Sequence, residues 1–370
     1  MFISIIGLVV IVAVAYILFV NFYPSFGGDI SKERQDELSE SINYKDGQFV
    51  NKKDVPEELS FMETLKLARH FFFTEVPDGR PKENIEVHKI DSINVAQYLG
   101  HSRLIWFGHS AFLLQLAGKN LLIDPMFGQV AAPHDWLGSD RFNEDMPIPI
   151  EQLPKIDAVL ISHDHYDHLD YGSIKKLKDK VDRFYVPLGV GVHLEAWGIE
   201  SERIKELDWW QDTSLDGLTF VCTPAQHFSG RKFNNRQSTL WASWVIISET
   251  ERIFFSGDSG YAPHFEEIGT KYGPFDLAMM ECGQYNERWA DIHMMPEETA
   301  QAGIDVRAKA LMPIHWGAFK LALHSWTDPI QRVMKKGKTL DITIVTPRIG
   351  QPVVLKDTLD VYDNWWNEEK

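Results

Sequence analysis

Ser162-His163-Asp164-His165-Tyr166-Asp167-His168-Leu169-Asp170 packs three histidines and three carboxylates into nine residues directly after the apolar run Ala158-Val159-Leu160-Ile161. The run reads as a buried strand over 156–161, which puts the cluster at a strand's carboxyl end. Such a cluster predicts a metal site; the alternative, a solvated polar loop with incidental histidines, leaves the distant partners below unexplained. The arrangement His-x-His-x-Asp-His suits two ions. His163 and His165 reach one from a tight loop, while Asp167 and His168 turn toward a second. Imidazole and carboxylate suit zinc or a similar divalent ion.

Two ions need further ligands, and three later places each offer one. His227 follows Phe220-Val221-Cys222-Thr223-Pro224-Ala225-Gln226, Asp258 follows Ile253-Phe254-Phe255-Ser256-Gly257, and His315 follows Leu311-Met312-Pro313-Ile314. Singly, each reads as a hydrogen-bonded structural residue; together, all at strand ends, they complete a ligand set. The pattern around them begins near Arg103 with short apolar segments at 104–107, 112–116 and 121–123, a β-meander. Strands are predicted at 184–190, 218–223, 240–247, 253–256, 277–280, 310–314 and 342–345, with helices at 192–197 and 296–306. Strands with interposed helices predict an α/β or α+β fold of packed sheets.

The His-x-His-x-Asp-His run followed in order by His227, Asp258 and His315 resembles the metallo-β-lactamase superfamily. The resemblance spans about Arg103 to Leu355 and implies an αββα sandwich with a binuclear site at the sheet edge. Trp106-Phe107-Gly108-His109-Ser110, Leu122-Ile123-Asp124-Pro125, Gln226-His227-Phe228-Ser229-Gly230-Arg231, Gly257-Asp258-Ser259-Gly260-Tyr261 and Ile314-His315-Trp316-Gly317 further resemble its N-acyl-phosphatidylethanolamine-hydrolysing phospholipase D branch. By that pattern His163, His165 and His227 hold one ion, Asp167, His168 and His315 the other, and Asp258 bridges them. Asp258 and Asp167 are then the catalytic carboxylates, and Asp124 and His109 orient ligands. Arg231, Tyr285 and His293 are candidates for binding substrate, and Asp164 for moving protons. Cys282 and Gln284 depart from the family, which has small or aliphatic residues there.

With 44% hydrophobic residues and 12 tryptophans in 370, the chain can bury a substantial core. A formal charge of -16 without clustered Lys or Arg excludes nucleic acid as a bulk partner. Cys222 and Cys282 form no Cys-x-x-Cys motif. The first 28 residues carry no charge, and Phe2 to Phe22 is nearly all apolar, long enough for a single-pass transmembrane helix at residues 1–28. Phe22, Tyr23 and Phe26 would then sit in the lipid interface, and the basic residues Lys32, Arg34, Lys52 and Lys53 lean the catalytic domain toward the cytoplasmic side of the cell membrane. Residues 29–60 read as a juxtamembrane linker, 61–102 as a helical extension with an amphipathic helix over 61–72, and 103–370 as the hydrolase domain.

The resemblance implies a membrane-anchored phospholipase D-type phosphodiesterase with two divalent ions, expected to be Zn2+, acting on a phospholipid with water as nucleophile. A lactonase or other small-molecule metallo-hydrolase of the same fold and a non-enzymatic binding protein are the alternatives. The pairs Trp209-Trp210 and Trp365-Trp366 are open to membrane contact, core packing or a homodimer interface.

Overall fold

Alternation along the strands sorts the apolar residues into two layers. In the strand Arg103–Trp106, Leu104 and Trp106 join the core between two sheets, whereas Ile105 and the following Phe107 join a second core on the outer face. Strands Phe112–Leu116, Lys119–Ile123 and Ile156–Leu160 repeat this division. With both faces buried, each strand reads as a near-continuous apolar run.

A computed structural model of the protein describes residues 2–53, 62, 66, 69, 73–356 and 362–367, without the side chains of 2–6 and 9. Its first seven-stranded sheet runs, edge to edge, Pro352–Val354, Arg103–Trp106, Phe112–Leu116, Lys119–Ile123, Ile156–Leu160, Val181–Pro187 and Ile204–Leu207. The second runs Thr343–Ile344, Ala310–Ile314, Leu277–Glu281, Arg252–Phe255, Ser243–Ile247, Leu218–Thr223 and Asp212–Leu215. The expected meander pairs antiparallel; the steps from Lys119–Ile123 onward are parallel. Helices Tyr171–Leu177 and Gly191–Ala196 cover the first sheet's outer face through Ile174, Leu177 and Leu194. Pro296–Asp305 lies on Leu277–Glu281 and Ala310–Ile314 and packs against Asp328–Leu340. The result is a mixed α/β fold in which both sheets turn the carboxyl ends of their parallel strands toward one edge, where an α/β sheet presents its functional loops.

Asp170 accepts the N–H groups of Gly172 and Ser173 and so caps Tyr171–Leu177, ending the histidine-rich loop in a helix. Trp316, next in sequence to His315, stacks on Trp365 at 5.5 Å in a cluster with Trp106, Trp326 and Trp366. Trp365 and Trp366 are therefore core residues, as is Trp209, whose indole N–H donates to the Trp241 carbonyl; Trp210 stacks on Tyr272.

The amino terminus requires a correction. Phe2–Phe22 is helical, but among the described residues no helix is long and apolar enough to cross a membrane, which overturns the expected single-pass membrane localisation. Two of the aromatics expected in a lipid interface pack on protein: Tyr23 lies 5.2 Å from the His134 ring, and buried Phe26 meets Tyr166 edge-on. Phe19 contacts Phe26 and Trp136. The following polar stretch, expected as a linker, carries helix Lys32–Leu38 and the short hairpin of Tyr44–Lys45 with Gln48–Phe49, and buries Leu38 and Phe49 in the main core. Ser41 and Asn43 fasten it to Asp208. Of the amphipathic helix expected over 61–72, all but Met62, Lys66 and Arg69 lies outside the described residues.

Candidate metal centre

Every predicted ligand stands just past a strand's carboxyl end. His163, His165, Asp167 and His168 follow Ile156–Leu160, His227 follows Leu218–Thr223, Asp258 follows Arg252–Phe255 and His315 follows Ala310–Ile314. Asp124 and His109 occupy equivalent places after Lys119–Ile123 and Arg103–Trp106. His109, Asp124 and His315 all have positive φ (55°, 39° and 66°), a region non-glycine residues rarely adopt, and one found where a site dictates side-chain aim. Gly283 is required beside His315: a Cβ there would lie 1.9 Å from the His315 carbonyl oxygen.

Two ligand groups converge. His163 Nε2 lies 2.9 Å from His165 Nδ1, which lies 3.2 Å from His227 Nε2. Nitrogens around a tetrahedral zinc with bonds of about 2.0–2.1 Å sit roughly 3.3 Å apart, so this triangle has the size of a metal's coordination face. His227 Nδ1 donates to the Ile292 carbonyl at 3.0 Å, which leaves Nε2 with its lone pair. The second group is Asp167, His168 and His315, with His109 beside them. His168 Nδ1 donates to Asp124 Oδ2 at 2.7 Å, and His109 Nε2 donates to Asp167 Oδ2 at 2.8 Å. Asp258 spans the two groups. Its Oδ1 lies 3.1 Å from His168 Nε2 and 3.0 Å from His315 Nδ1, and its Oδ2 lies 3.9 and 3.8 Å from His163 and His227 Nε2.

The electrostatics fit a cation. Burial pushes His165 down to about 4 and His163, His227 and His315 well below the ordinary histidine range, so these rings stand neutral with lone pairs available. Burial resists charge on His168 as well, yet Asp258, Asp167 and Asp124 around it hold its pKa well above the usual value. Burial, reinforced by Glu281, pushes Asp258 up to about 7. Three carboxylates thus converge on one imidazole in a desolvated site that is short of positive charge. His168 Nε2 and Asp258 Oδ1, both buried, face each other at 3.1 Å as an ion pair without the alignment of a hydrogen bond. The donor set fits divalent ions of the kind bound by nitrogen and oxygen.

The remaining site candidates divide. His293 belongs to the centre: it groups with His227 and Asp258, and its Nδ1 meets Glu281. Tyr285 has its hydroxyl committed to Asp328 and its ring stacked on His324 at 4.4 Å. Arg231 is corrected from an anion binder to a brace. It is buried, and its guanidinium donates to the Ser25 carbonyl through Nε (2.9 Å) and Nη2 (2.6 Å), and to the Asp164 and Leu169 carbonyls through Nη1. Asp164 is likewise not a proton carrier: Gly230 N–H, Thr239 Oγ1 and His193 Nε2 surround its carboxylate at 2.8–3.2 Å. Ser162 and Glu281 escaped the sequence reading. Ser162 donates its N–H and hydroxyl to Asp124 and its Oγ contacts His163 Nδ1, so it links the supports of both groups. Glu281 left a signal, a lone acid closing the apolar run Leu277-Ala278-Met279-Met280.

Fold and site together define a metal-dependent hydrolase. Residues 119–316 match the model of the β-lactamase superfamily domain. An uncharacterised protein of Mycobacterium tuberculosis is 42% identical over 340 residues, covering 88% of each chain. An N-acyl-phosphatidylethanolamine-hydrolysing phospholipase D of Caenorhabditis elegans is 32% identical over 263 residues, 66% of this chain and 74% of that one. A metallo hydrolase from the archaeon Ignicoccus hospitalis shares the fold with a TM-score of 0.52 at 21% identity, over 69% of this chain and 98% of the other. The chain belongs to the metallo-β-lactamase superfamily.

Proposed function

We propose that this hydrolase is a phospholipase D-type phosphodiesterase that cleaves N-acyl-phosphatidylethanolamine-like phospholipids to N-acylethanolamine and phosphatidic acid. The observation that carries the reading is Asp258 standing between two ligand triads in a chain similar to the worm phospholipase D. His163, His165 and His227 would hold one ion, expected to be Zn2+, and Asp167, His168 and His315 a second, with Asp258 shared. Divalent ions held there supply Lewis acidity toward phosphoryl oxygens and acidify water at neutral pH.

The chain's own residues do the rest. Asp124 and His109 hold His168 and Asp167 in their orientations through the 2.7 and 2.8 Å hydrogen bonds. Asp258, buried at the junction of the two groups, is placed to take a proton from attacking water. The water oxygen bonds to phosphorus as the phosphorus–oxygen bond to the ethanolamine breaks, and the proton taken by Asp258 passes to the departing ethanolamine oxygen, so the water oxygen ends on phosphatidic acid and N-acylethanolamine leaves as the alcohol.

The test is product analysis by mass spectrometry with zinc-loaded protein, N-acyl-phosphatidylethanolamine in mixed micelles and 18O-water. Release of N-acylethanolamine with one 18O in phosphatidic acid is expected, and Asp258→Asn abolishes it. Hydrolysis of a lactone panel with no N-acylethanolamine released would sink the reading.

A further inference from the structure

Glu281 closes the strand Leu277–Glu281, and its side chain is fully buried. Its backbone is fixed on both sides, with its N–H donating to Ser256 Oγ at 2.9 Å and its carbonyl accepting from Thr299 Oγ1 at 2.7 Å. Oε2 accepts the N–H of Ser259, the residue after Asp258, at 2.7 Å, Oε1 makes a short contact with His293 Nδ1, and the Met294 N–H also favours the charged carboxylate. None of these is a permanent cation, and burying a carboxylate without one is costly. An apolar residue would continue the strand without that cost, so the acid is explained by what it holds.

What it holds is a ring set between the two ligand groups. The His293 ring centroid lies 4.9 Å from that of His227 and 5.5 Å from that of His315, the latter with planes 22° apart. With Nδ1 turned back onto Glu281, Nε2 is the nitrogen left to a ring that groups with His227 and Asp258. The His293 side chain keeps 14% of its surface exposed, whereas His163, His168, His227 and His315 keep 1% or less. His293 is thus a histidine that an incoming substrate can touch at the junction of both groups.

We propose that Glu281 is a positioning residue that locks the His293 ring through Nδ1, so that Nε2 meets the phosphoryl group of the substrate as it enters between the two triads. The substrate half of this inference rests on the phosphodiesterase reading above; the Glu281–His293 lock does not. Oε2 on Ser259 N–H fixes the carboxylate relative to Asp258, so His293 is placed against the ligand shared by both groups and not merely against its own loop.

The test uses the full chain loaded with zinc, as wild type and as Glu281→Gln, Glu281→Asp, His293→Ala and the double variant Glu281→Gln/His293→Ala. Histidine 15N NMR, assigned by difference with His293→Ala, is expected to show a strongly downfield, exchange-protected Nδ1 proton on His293, lost in Glu281→Gln and partly restored in Glu281→Asp. Turnover of bis(p-nitrophenyl) phosphate and of N-acyl-phosphatidylethanolamine micelles is expected to fall about 10- to 100-fold in Glu281→Gln, the scale of an orienting partner. The same substitution is expected to change less than about twofold in the His293→Ala background, with metal content unaltered throughout. The lock is overturned if the wild-type spectrum lacks that proton, if Glu281→Gln slows both backgrounds alike, or if either single variant loses an ion. A wild type that turns over neither phosphodiester refutes the substrate half, and the spectrum still decides the lock; where Glu281→Gln does not fold, the wild-type and Glu281→Asp spectra decide it.

Discussion

Replacing Asp124 by Asn tests whether the His168 arm of the centre is built as described. Asp124 is fully buried and accepts three hydrogen bonds, from Ser162 N–H at 2.7 Å, Ser162 Oγ at 2.5 Å and His168 Nδ1 at 2.7 Å. Asn fills the same volume, so no cavity term enters. One amide arm keeps an oxygen for the Ser162 N–H, and the other turns an NH2 toward His168 Nδ1–H, donor against donor. The ring escapes by moving its proton to Nε2, the nitrogen that would ligate. A lost charge-assisted hydrogen bond costs roughly 1.5–3 kcal/mol of stability. An orienting partner's removal weakens metal affinity about 10- to 100-fold, or about 1.4–2.8 kcal/mol. Chelator competition with zinc, together with metal analysis, is the assay: Asp124→Asn is expected to hold the ion of the His163–His165–His227 face near wild-type affinity and to release the other first. Two ions bound with unchanged affinity would refute the orienting role.

Arg231→Met leaves the carbonyls of Ser25, Asp164 and Leu169 without their donor, and at about 1–3 kcal/mol for each unsatisfied buried group the midpoint of urea unfolding falls markedly; a change confined to substrate KM would restore the anion-binding reading. Trp365→Ala removes a ring packed on Trp106, Trp316, Trp326 and Trp366 and is expected to cost about 3–5 kcal/mol in denaturant titration. Burial holds His264 down to about 3 against an ordinary 6.5, so the folded state binds fewer protons there than the unfolded one. That contribution is complete above pH 6.5 and is lost progressively as pH falls toward 3; between pH 7 and 5 metal-free wild type is expected to lose about 2 kcal/mol that His264→Gln does not.

The convergence of the candidate ligands was legible because the loops of this site follow strands, and apolar runs announce strands. His163 to His168, His227, Asp258 and His315 each stand after such a run, and the structure brings them within reach of one another. The β-meander was legible through its short turns at Gly108 and Ala117-Gly118. Helix Asp328–Leu340 was missed although Ile330, Val333, Met334 and Leu340 recur at helical spacing and pack on the core, because polar and basic residues interrupt them at every step. Arg231 misled because an arginine near a metal motif looks like an anion binder, whereas its partners are backbone carbonyls that no side-chain pattern encodes. Hairpin Tyr44–Lys45 with Gln48–Phe49 was hidden in a charged stretch, since Phe49 is its one fully buried anchor. The long apolar amino terminus carried a composition signal for a membrane span, while the packing of Tyr23 and Phe26 on His134 and Tyr166 depends on residues more than a hundred positions away.

The brace at Arg231 has a bearing on local unfolding. Its guanidinium joins the Ser25 carbonyl to the Asp164 and Leu169 carbonyls, which flank His165, Asp167 and His168, while Trp197 Nε1 donates to the Pro24 carbonyl at 2.7 Å. Gly28 presses so closely on this surface that a Cβ would lie 2.4 Å from the Val192 carbonyl oxygen. The histidine loop and the turn Pro24–Phe26 are therefore expected to open as one cooperative unit. Amide exchange in the loop is then expected to respond to residues well over a hundred positions earlier in the chain, and a protein cut after Gly28 to keep every candidate ligand while exchanging faster around three of them.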